Sequence, residues 1–340
     1  MYGSEIYNDF LKDILWIRER IQEEIHAFPN SSQPLVNYYI KKRLTIIPDP
    51  AQPIPSYYVD YHLGRPIPYV AFWFATAFGL KDILVMRKLG LGLVYSALAT
   101  TIRDDIIDKE SSADQACLNL FDHYHSRYLE IFADLFGRDS KFWHYFDSCI
   151  REHVQYDDWN LQFNSNSRID PFSELFLQES SRYFSAVVMP TLVALAIIMN
   201  SEEQIPKMHD FLRHYSMGWR IYDDFIDWTK DLKSDKLNHS SILLYILQKI
   251  SKTHKLTEET VLSMFLNPDF IDKAYGTIIK FNKDAKRDIR DFNCVYLSKF
   301  MDEQISFHTR RRDSVFYHTH ELTSTLVKQL DIVLNPSQIS

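Results

Sequence analysis

Two acidic clusters, each at the end of a long apolar stretch, constrain this sequence most strongly. The first lies in residues 101–110 and contains Asp104, Asp105 and Asp108. Residues four apart share one face of a helix, so Asp104 and Asp108 point the same way with Asp105 beside them. Carboxylates this close repel one another unless a cation lies there. Because Mg²⁺ prefers hard oxygen ligands, the cluster predicts a magnesium site at a helix end.

The sequence contains a second cluster of the same kind in residues 219–231. Asp223, Asp227 and Asp231 recur every fourth residue and form one acidic stripe, with Asp224 alongside. For either cluster alone, a solvated helix end is an equally good interpretation. Two clusters, each behind an apolar helix, favour metal binding.

The remaining pattern indicates an all-α protein. Apolar residues make up 46% of the 340 residues and glycines number only eight, while the apolar positions repeat at three and four. We expect residues 1–56 to form N-terminal helices, at 5–28 and 34–46, and a proline-rich connector packed on the main body. Residues 57–340 then form one α-domain. This domain begins with an aromatic stretch at 66–79, which is followed by a helix that leads to the first cluster. Further helices are predicted at 117–136, 141–163, 171–199 and 206–231, and three or four more to about 334.

Composition excludes several classes of function. The net charge of −7 argues against nucleic acid as a partner. Three cysteines without metal-type spacing predict a reduced, cytoplasmic setting. No signal-peptide pattern is evident, and the most apolar segment, residues 185–199, is too short to cross a bilayer. We therefore expect a soluble protein without stable membrane insertion.

Facing acidic helix ends predict a definite chemistry. Mg²⁺ ions held between them would bridge to phosphate oxygens and polarise the bond to a leaving diphosphate. If that diphosphate leaves an allylic carbon, the resulting carbocation needs a dry cavity with aromatic walls. Aromatic residues concentrate on the stretches beside the clusters: Phe72, Trp73, Tyr95, Tyr183, Phe184, Trp219 and Tyr222.

The motifs Asp104-Asp-Ile-Ile-Asp108 and Asp223-Asp-Phe-Ile-Asp227 resemble the two aspartate-rich motifs of the trans-isoprenyl diphosphate synthase and class I terpene synthase superfamily. The resemblance implies an antiparallel helical bundle around a central cavity. It also implies three Mg²⁺ ions, two on the first cluster and one on Asp223, Asp227 and Asp231. The residues to which it assigns catalysis are Asp104, Asp105, Asp108, Asp223, Asp224, Asp227 and Arg182.

The same resemblance implies contacts to a prenyl diphosphate. Gly64-Arg65-Pro66 lies about where the superfamily has a Gly-Lys-x-x-Arg-Pro stretch, and Arg182 precedes Asp223 by 41 residues, as a diphosphate-binding basic residue does. Ordinary ion pairing is the alternative for Arg182, and a local pair with Asp223 or Asp224 is the default role of Arg220. The predicted substrate-binding residues are Arg65, Arg182, Lys230, Tyr95, Phe72, Trp219 and Tyr222.

Departures from the synthase pattern distinguish between the two branches of the superfamily, chain-elongating synthases and terpene synthases. Chain-elongating synthases carry an arginine pair soon after the first motif, whereas here the next arginine after Asp108 is Arg127. A second diphosphate needs matched cationic donors. We therefore predict a class I terpene synthase that ionises one C15–C25 prenyl diphosphate. The alternatives are a chain-elongating prenyl diphosphate synthase and a silent partner subunit of such enzymes.

Small residues just before the first cluster indicate the length of the prenyl chain in the substrate. In the superfamily, small side chains at the positions of Ala99 and Thr100 leave the cavity deep, which suits a C20 or longer substrate, with C15 still open. The sequence decides neither the product skeleton nor the oligomeric state. A homodimer is one of the oligomeric states that it allows.

Overall fold

The computed structural model describes residues 4–44, 67–107, 115–163, 170–233, 240–250 and 256–334. Within those ranges the regular structure is helical and no strand occurs, so the all-α prediction is confirmed. The helices are α1 Ser4–Asn8, α2 Leu11–Ala27, α3 Gln33–Leu44, α4 Tyr69–Ala77, α5 Ile83–Ile107, α6 Gln115–Leu135, α7 Phe142–Phe163, α8 Glu174–Ile198, α9 Ile205–Lys233, α10 Ser241–Lys249, α11 Glu258–Phe265, α12 Pro268–Asp288 and α13 Val295–Leu334.

The N-terminal segment folds as two helices where the sequence predicts one over residues 5–28. The break falls at Asp9 and Phe10, between α1 and α2. Both residues are engaged by α13, because the Tyr296 hydroxyl donates to Asp9 at 2.6 Å and the Tyr296 ring packs edge-on against Phe10. The break in a helix that is continuous by local pattern therefore coincides with a tertiary contact. The proline-rich connector lies outside the described residues.

Helix α5, which ends in the first acidic cluster, lies at the centre of this arrangement. It packs against α2, α3, α4, α6 and α8. At Gly90 an added Cβ would lie 2.7 Å from the Phe72 ring of α4 and 2.8 Å from Ile17 of α2. The absence of a side chain at this position allows three helices to approach closely. The N-terminal helices thus share a core with the rest of the chain.

Helix α8 places the two acidic clusters in one neighbourhood. It packs against α5, which carries the first cluster, and against α9, which carries the second. A serine caps its start, where Ser173 Oγ accepts from the N–H of Phe176 at 3.3 Å. Helix α9 in turn packs against α10 and along α12. The order α5, α8, α9 therefore sets which side chains can meet between the clusters.

By length and composition alone, helix α5 could cross a membrane, and most of its apolar window is buried inside the protein. The predicted apolar segment at 185–199 is the second half of α8. All three cysteines, Cys117, Cys149 and Cys294, are buried and unpaired by disulfides.

Candidate metal centre

The first acidic cluster is at the end of α5. Asp104 is half-buried and Asp105 is 5% exposed. The Tyr183 hydroxyl of α8 donates a hydrogen bond to Oδ2 of Asp104. This neutral donor orients the carboxylate and leaves its negative charge in place, as residues behind a metal ligand commonly do. Asp108, the third member, lies outside the described residues.

A half-buried polar network lies directly beside this cluster. Arg103, next to Asp104 in the chain, donates to the carboxylate of Asp157 on α7, and its Nη1 lies 2.5 Å from Nε2 of His153. Burial, and then the charge of Arg103, lowers the pKa of His153. The imidazole is therefore neutral near pH 7 and accepts from the guanidinium. Its ring also packs 5.7 Å from that of Tyr183, so the network supports the Asp104 partner.

Asp157 belongs to no spaced carboxylate motif in the sequence, and its role follows from its position in this network. Its side chain is 22% exposed and is paired with Arg103. Its spacing of four residues from His153 indicates only that the two share a face of α7. That Arg103 meets this face follows from the packing of α5 on its neighbours.

The second cluster forms the predicted acidic stripe on α9. Asp223, Asp227 and Asp231 are each half-buried, one turn apart. Three carboxylates on one face keep oxygen ligands accessible while the rest of the helix packs in the core. The stripe is the arrangement that the sequence spacing predicts.

Asp224 faces away from this stripe and is only 4% exposed. Its Oδ2 accepts from the Ser241 hydroxyl and, at 3.2 Å, from the N–H of Ile242, both at the start of α10. Its other oxygen lies 3.4 Å from Arg220, the local pair expected from the sequence. Burial raises the pKa of the Asp224 carboxyl, and the Arg220 charge opposes that rise. These contacts anchor α9 to α10, and the catalytic role assigned to Asp224 remains a prediction.

Three basic residues, Arg182, Lys230 and Arg65, were predicted to bind diphosphate. Arg182 donates to Oε1 of Gln155 at 2.7 Å and pairs with Glu179 at 3.1 Å. Lys230 is exposed at the end of α9. Arg65 lies outside the described residues. The contacts of Arg182 are the ordinary ion pairing that the sequence left open, and its role towards diphosphate remains a prediction.

The predicted aromatic wall divides into two groups. Phe72 and Tyr95 belong to the core shared with the N-terminal helices, where Tyr95 donates to Glu24 of α2 at 2.6 Å. Trp219 and Tyr222 lie on α9, within one turn of Asp223, with ring centroids 5.5 Å apart. By position, the second pair is the better placed to line a space beside the metal ligands.

His308 of α13 is a residue of this region that the sequence did not single out. It is 2% exposed and packs edge-on against Tyr222 with ring centroids 4.8 Å apart. Burial, and then the charge of Arg311, lowers the pKa of His308 to about 3. Among the residues that the structure describes, its buried Nδ1 has no hydrogen-bond partner. No local signal marks it, because it is reached only through the packing of α13 near α9.

Ala99 and Thr100 do face a cavity, of about 220 Å³, between α5, α6, α7 and α8. Arg103 and His153 of the polar network lie in its wall. The other lining residues are Ser96, Phe121, His125, Tyr128, Ile150, Val154 and Val187. The small side chains at 99 and 100 therefore border open space, while the substrate chain length stays a prediction.

The residues present fit Mg²⁺ bound together with a phosphate ligand. Within the described ranges, no three His, Cys, Asp or Glu side chains converge into a complete metal-binding group. Mg²⁺ commonly keeps several waters and binds through one or two carboxylates plus substrate phosphates. Half-buried Asp104, Asp223, Asp227 and Asp231 supply that kind of partial ligand set. Calcium- or zinc-type cages of protein ligands are not formed here by the described residues.

Comparison with known proteins identifies the fold. No family model matches the sequence, and no curated protein matches it. Geranylgeranyl pyrophosphate synthetase from the archaeon Geoglobus acetivorans matches with a TM-score of 0.62 at 14% identity, over 88% of this chain and 99% of that one. Polyprenyl synthase from Caulobacter crescentus, solved with calcium and isoprenyl diphosphate, gives 0.63 at 14% identity, over 90% and 97%.

Geranylgeranyl pyrophosphate synthase from Corynebacterium glutamicum matches similarly, with a TM-score of 0.60 at 14% identity over 92% of this chain and 95% of that one. Similarity over nearly the whole length shows that this chain has the isoprenoid synthase fold. The helical bundle expected from the two aspartate motifs is thereby confirmed.

Proposed function

We propose that this protein is a Mg²⁺-dependent enzyme that ionises a linear prenyl diphosphate. The observation that carries the proposal is the placement of two accessible acidic stretches on α5 and α9, both packed against α8, in an isoprenoid synthase fold. At 14% identity, similarity to solved structures supports the fold only. The activity therefore has to be argued from the residues of the site.

In this proposal the carboxylates hold the metal ions and the surrounding side chains shape the site. Asp104, Asp105 and Asp108 bind on one side, and Asp223, Asp227 and Asp231 bind on the other. Bound Mg²⁺ supplies Lewis-acid stabilisation of the departing diphosphate. Tyr183 orients Asp104, and the apolar ring of Tyr222 helps to exclude water from the allylic centre.

Two fates of the allylic cation define two candidate activities. The structurally similar proteins are prenyl diphosphate synthases, which supports condensation with isopentenyl diphosphate, the alternative left open by the sequence. The lack of an arginine pair soon after Asp108 supports the other fate, cyclisation or quenching without a second substrate. The comparisons thus favour chain elongation. The terpene synthase reaction is supported only by the departures of the sequence from the pattern of chain-elongating synthases.

One incubation separates these candidates. Purified protein is supplied with Mg²⁺ and geranyl, farnesyl, geranylgeranyl or geranylfarnesyl diphosphate, each with and without isopentenyl diphosphate. Gas chromatography with mass spectrometry then reads the hydrocarbon extract and the phosphatase-treated diphosphate fraction. A longer prenyl alcohol that needs isopentenyl diphosphate would establish elongation, whereas a hydrocarbon or alcohol from one diphosphate would establish a terpene synthase.

Asp223→Ala is the matched inactive control in every arm, because it removes one predicted ligand from a half-buried position. Absence of both product classes with all four diphosphates, from folded protein, would contradict the proposal and favour the silent subunit.

A further inference from the structure

A groove of about 650 Å³ opens where α12 ends and α13 begins. Five of its lining side chains are cationic and none is acidic. The lining residues are Lys283, Lys286, Arg287, Ile289, Arg290, Phe292, Asn293, Cys294, Val295, Ser298 and Lys299. In a chain of net charge −7, these five side chains give one concave surface a locally positive potential.

Nearby acidic residues neutralise only part of this charge. Lys286 donates to Asp302 at 2.5 Å, and Arg287 donates to Asp284 at 2.6 Å. Both acidic residues lie outside the lining. Lys283 and Arg290 are exposed and form no salt bridge within the described residues. Lys283 lies near the end of α12 and Arg290 lies two residues beyond it, and both line the same concave space.

The groove is suited to phosphate in other respects. Asn293 and Ser298 add neutral hydrogen-bond donors to its wall. Phe292 and Val295 supply apolar surface beside them, so the groove is also able to hold an uncharged part of a ligand. Phosphate oxygens bind most strongly to charged donors of this kind, and guanidinium groups bind them in a two-point fashion.

The groove is displaced along α12 from the part of that helix that packs beside the second acidic cluster. Phe225, beside Asp224, packs on Phe270 near the start of α12, whereas Lys207 at the start of α9 donates to Asp291 just beyond the end of α12. Phe225 also packs on Tyr275. Lys283 lies eight residues beyond Tyr275, which is roughly 12 Å along α12 at 1.5 Å per residue, and Arg290 lies beyond the end of the helix. A ligand in the groove would leave the metal centre accessible.

We propose that this groove binds the phosphate groups of a polyanionic molecule at a site separate from the metal centre. Lys283 and Arg290 supply the principal contacts, with Lys286, Arg287 and Lys299 raising the local potential. A soluble phosphate ester and the headgroup of an anionic lipid share this chemistry. The proposal does not depend on the prenyl diphosphate reaction.

The test uses inorganic triphosphate as the soluble probe and vesicles of phosphatidylglycerol, against phosphatidylcholine, as the lipid probe. Titration calorimetry and vesicle co-sedimentation are performed with excess EDTA, so that metal-dependent binding at the aspartates does not contribute. The variant is the double substitution Lys283→Glu and Arg290→Glu. The matched control is Lys280→Glu with Lys249→Glu, which changes the net charge equally at exposed positions outside the groove.

At low ionic strength we expect the double variant to weaken binding of one or both probes at least tenfold and the control pair to weaken it less than threefold. Binding of triphosphate alone would indicate a soluble ligand, and binding of phosphatidylglycerol vesicles alone would indicate a headgroup. Equal weakening by both pairs would show a net-charge effect and overturn the site, as would failure of the wild-type chain to bind either probe. Turnover of prenyl diphosphate, measured separately, has no bearing on this outcome.

Discussion

The two acidic clusters have the same sequence pattern and are held in different ways. In both, the second aspartate is nearly inaccessible, with Asp105 5% and Asp224 4% exposed. In the second cluster Arg220, from the same helix, and the start of α10 engage Asp224. In the first cluster the support comes from other helices, through the Tyr183 hydroxyl on Asp104.

The difference teaches that equivalent positions in a repeated motif can have different roles. Arg103 and Arg220 each lie near a cluster, yet Arg103 is directed to Asp157 of α7 while Arg220 pairs within α9. The second cluster is therefore partly neutralised from inside its own helix. In the first cluster Asp104 accepts from the Tyr183 hydroxyl of another helix. Substitutions should separate these roles.

The largest expected effect is on turnover. Asp104→Ala and Asp223→Ala each remove a half-buried carboxylate from the predicted metal sites. We expect either change to lower kcat about 1,000-fold or more, because several kcal/mol of metal stabilisation are lost. Diphosphate release measures the rate, and far-ultraviolet circular dichroism checks that helicity is kept. Activity within tenfold of wild type for one variant would remove that cluster from the metal centre.

The next largest expected effect is on stability, from Asp224→Asn. This substitution removes the buried carboxylate charge that lies 3.4 Å from Arg220. Breaking a buried ion pair costs about 3–5 kcal/mol, and we expect about 2–3 kcal/mol because Arg220 keeps 27% of its exposure. Urea unfolding measures the free energy of unfolding. The matched variant Asp158→Asn, at an exposed position of α7, should leave it unchanged within about 0.5 kcal/mol, and an equal loss in both would refute the anchoring role.

His308, packed on Tyr222 beside the second cluster, should make stability depend on pH. Its folded pKa of about 3 lies below the unfolded value of about 6.5. Between these values the unfolded chain binds more protons, so this contribution rises with pH and is lost as pH falls below about 6.5. The slope is at most about 1.4 kcal/mol per pH unit.

The His308 prediction is checked by unfolding His308→Gln between pH 4.5 and 7. We expect this variant to have a flatter pH dependence than wild type. His26→Gln, at an exposed position of α2, serves as the control and should behave as wild type. Parallel curves for wild type and His308→Gln would show that burial of this imidazole does not control the pH dependence.

The smallest expected effect tests the orientation of Asp104. Tyr183→Phe removes the hydroxyl donor and keeps the ring that packs on His153. Loss of a group behind a metal ligand typically weakens metal binding about 10-fold to 100-fold, and we expect the lower end. The Mg²⁺ concentration at half-maximal rate should rise about tenfold with little loss of kcat at saturation. Tyr156→Phe, whose ring lies 5.3 Å from Tyr183, is the control, and a shift in both variants would assign the effect to packing.

Much of the fold could be predicted because helix periodicity is local. The predicted segments at 117–136, 141–163, 171–199 and 206–231 match α6, α7, α8 and α9 within a few residues. The interruption between α1 and α2 was not predicted, and it falls where Tyr296, from near the other end of the chain, contacts Asp9. The pairing of Arg220 was predictable for the opposite reason, because its partner lies four residues away on the same helix.

By itself the sequence determined the helical class, the two acidic stripes and the spacing of their carboxylates, because a helix converts spacing directly into a shared face. The tertiary structure alone decided that Asp224 binds the start of α10, that Tyr183 orients Asp104 and that Asp157 pairs with Arg103. It also brought His308 onto Tyr222. These contacts join residues 17 to 86 positions apart, and a local periodic pattern carries no information about which distant helix faces will meet.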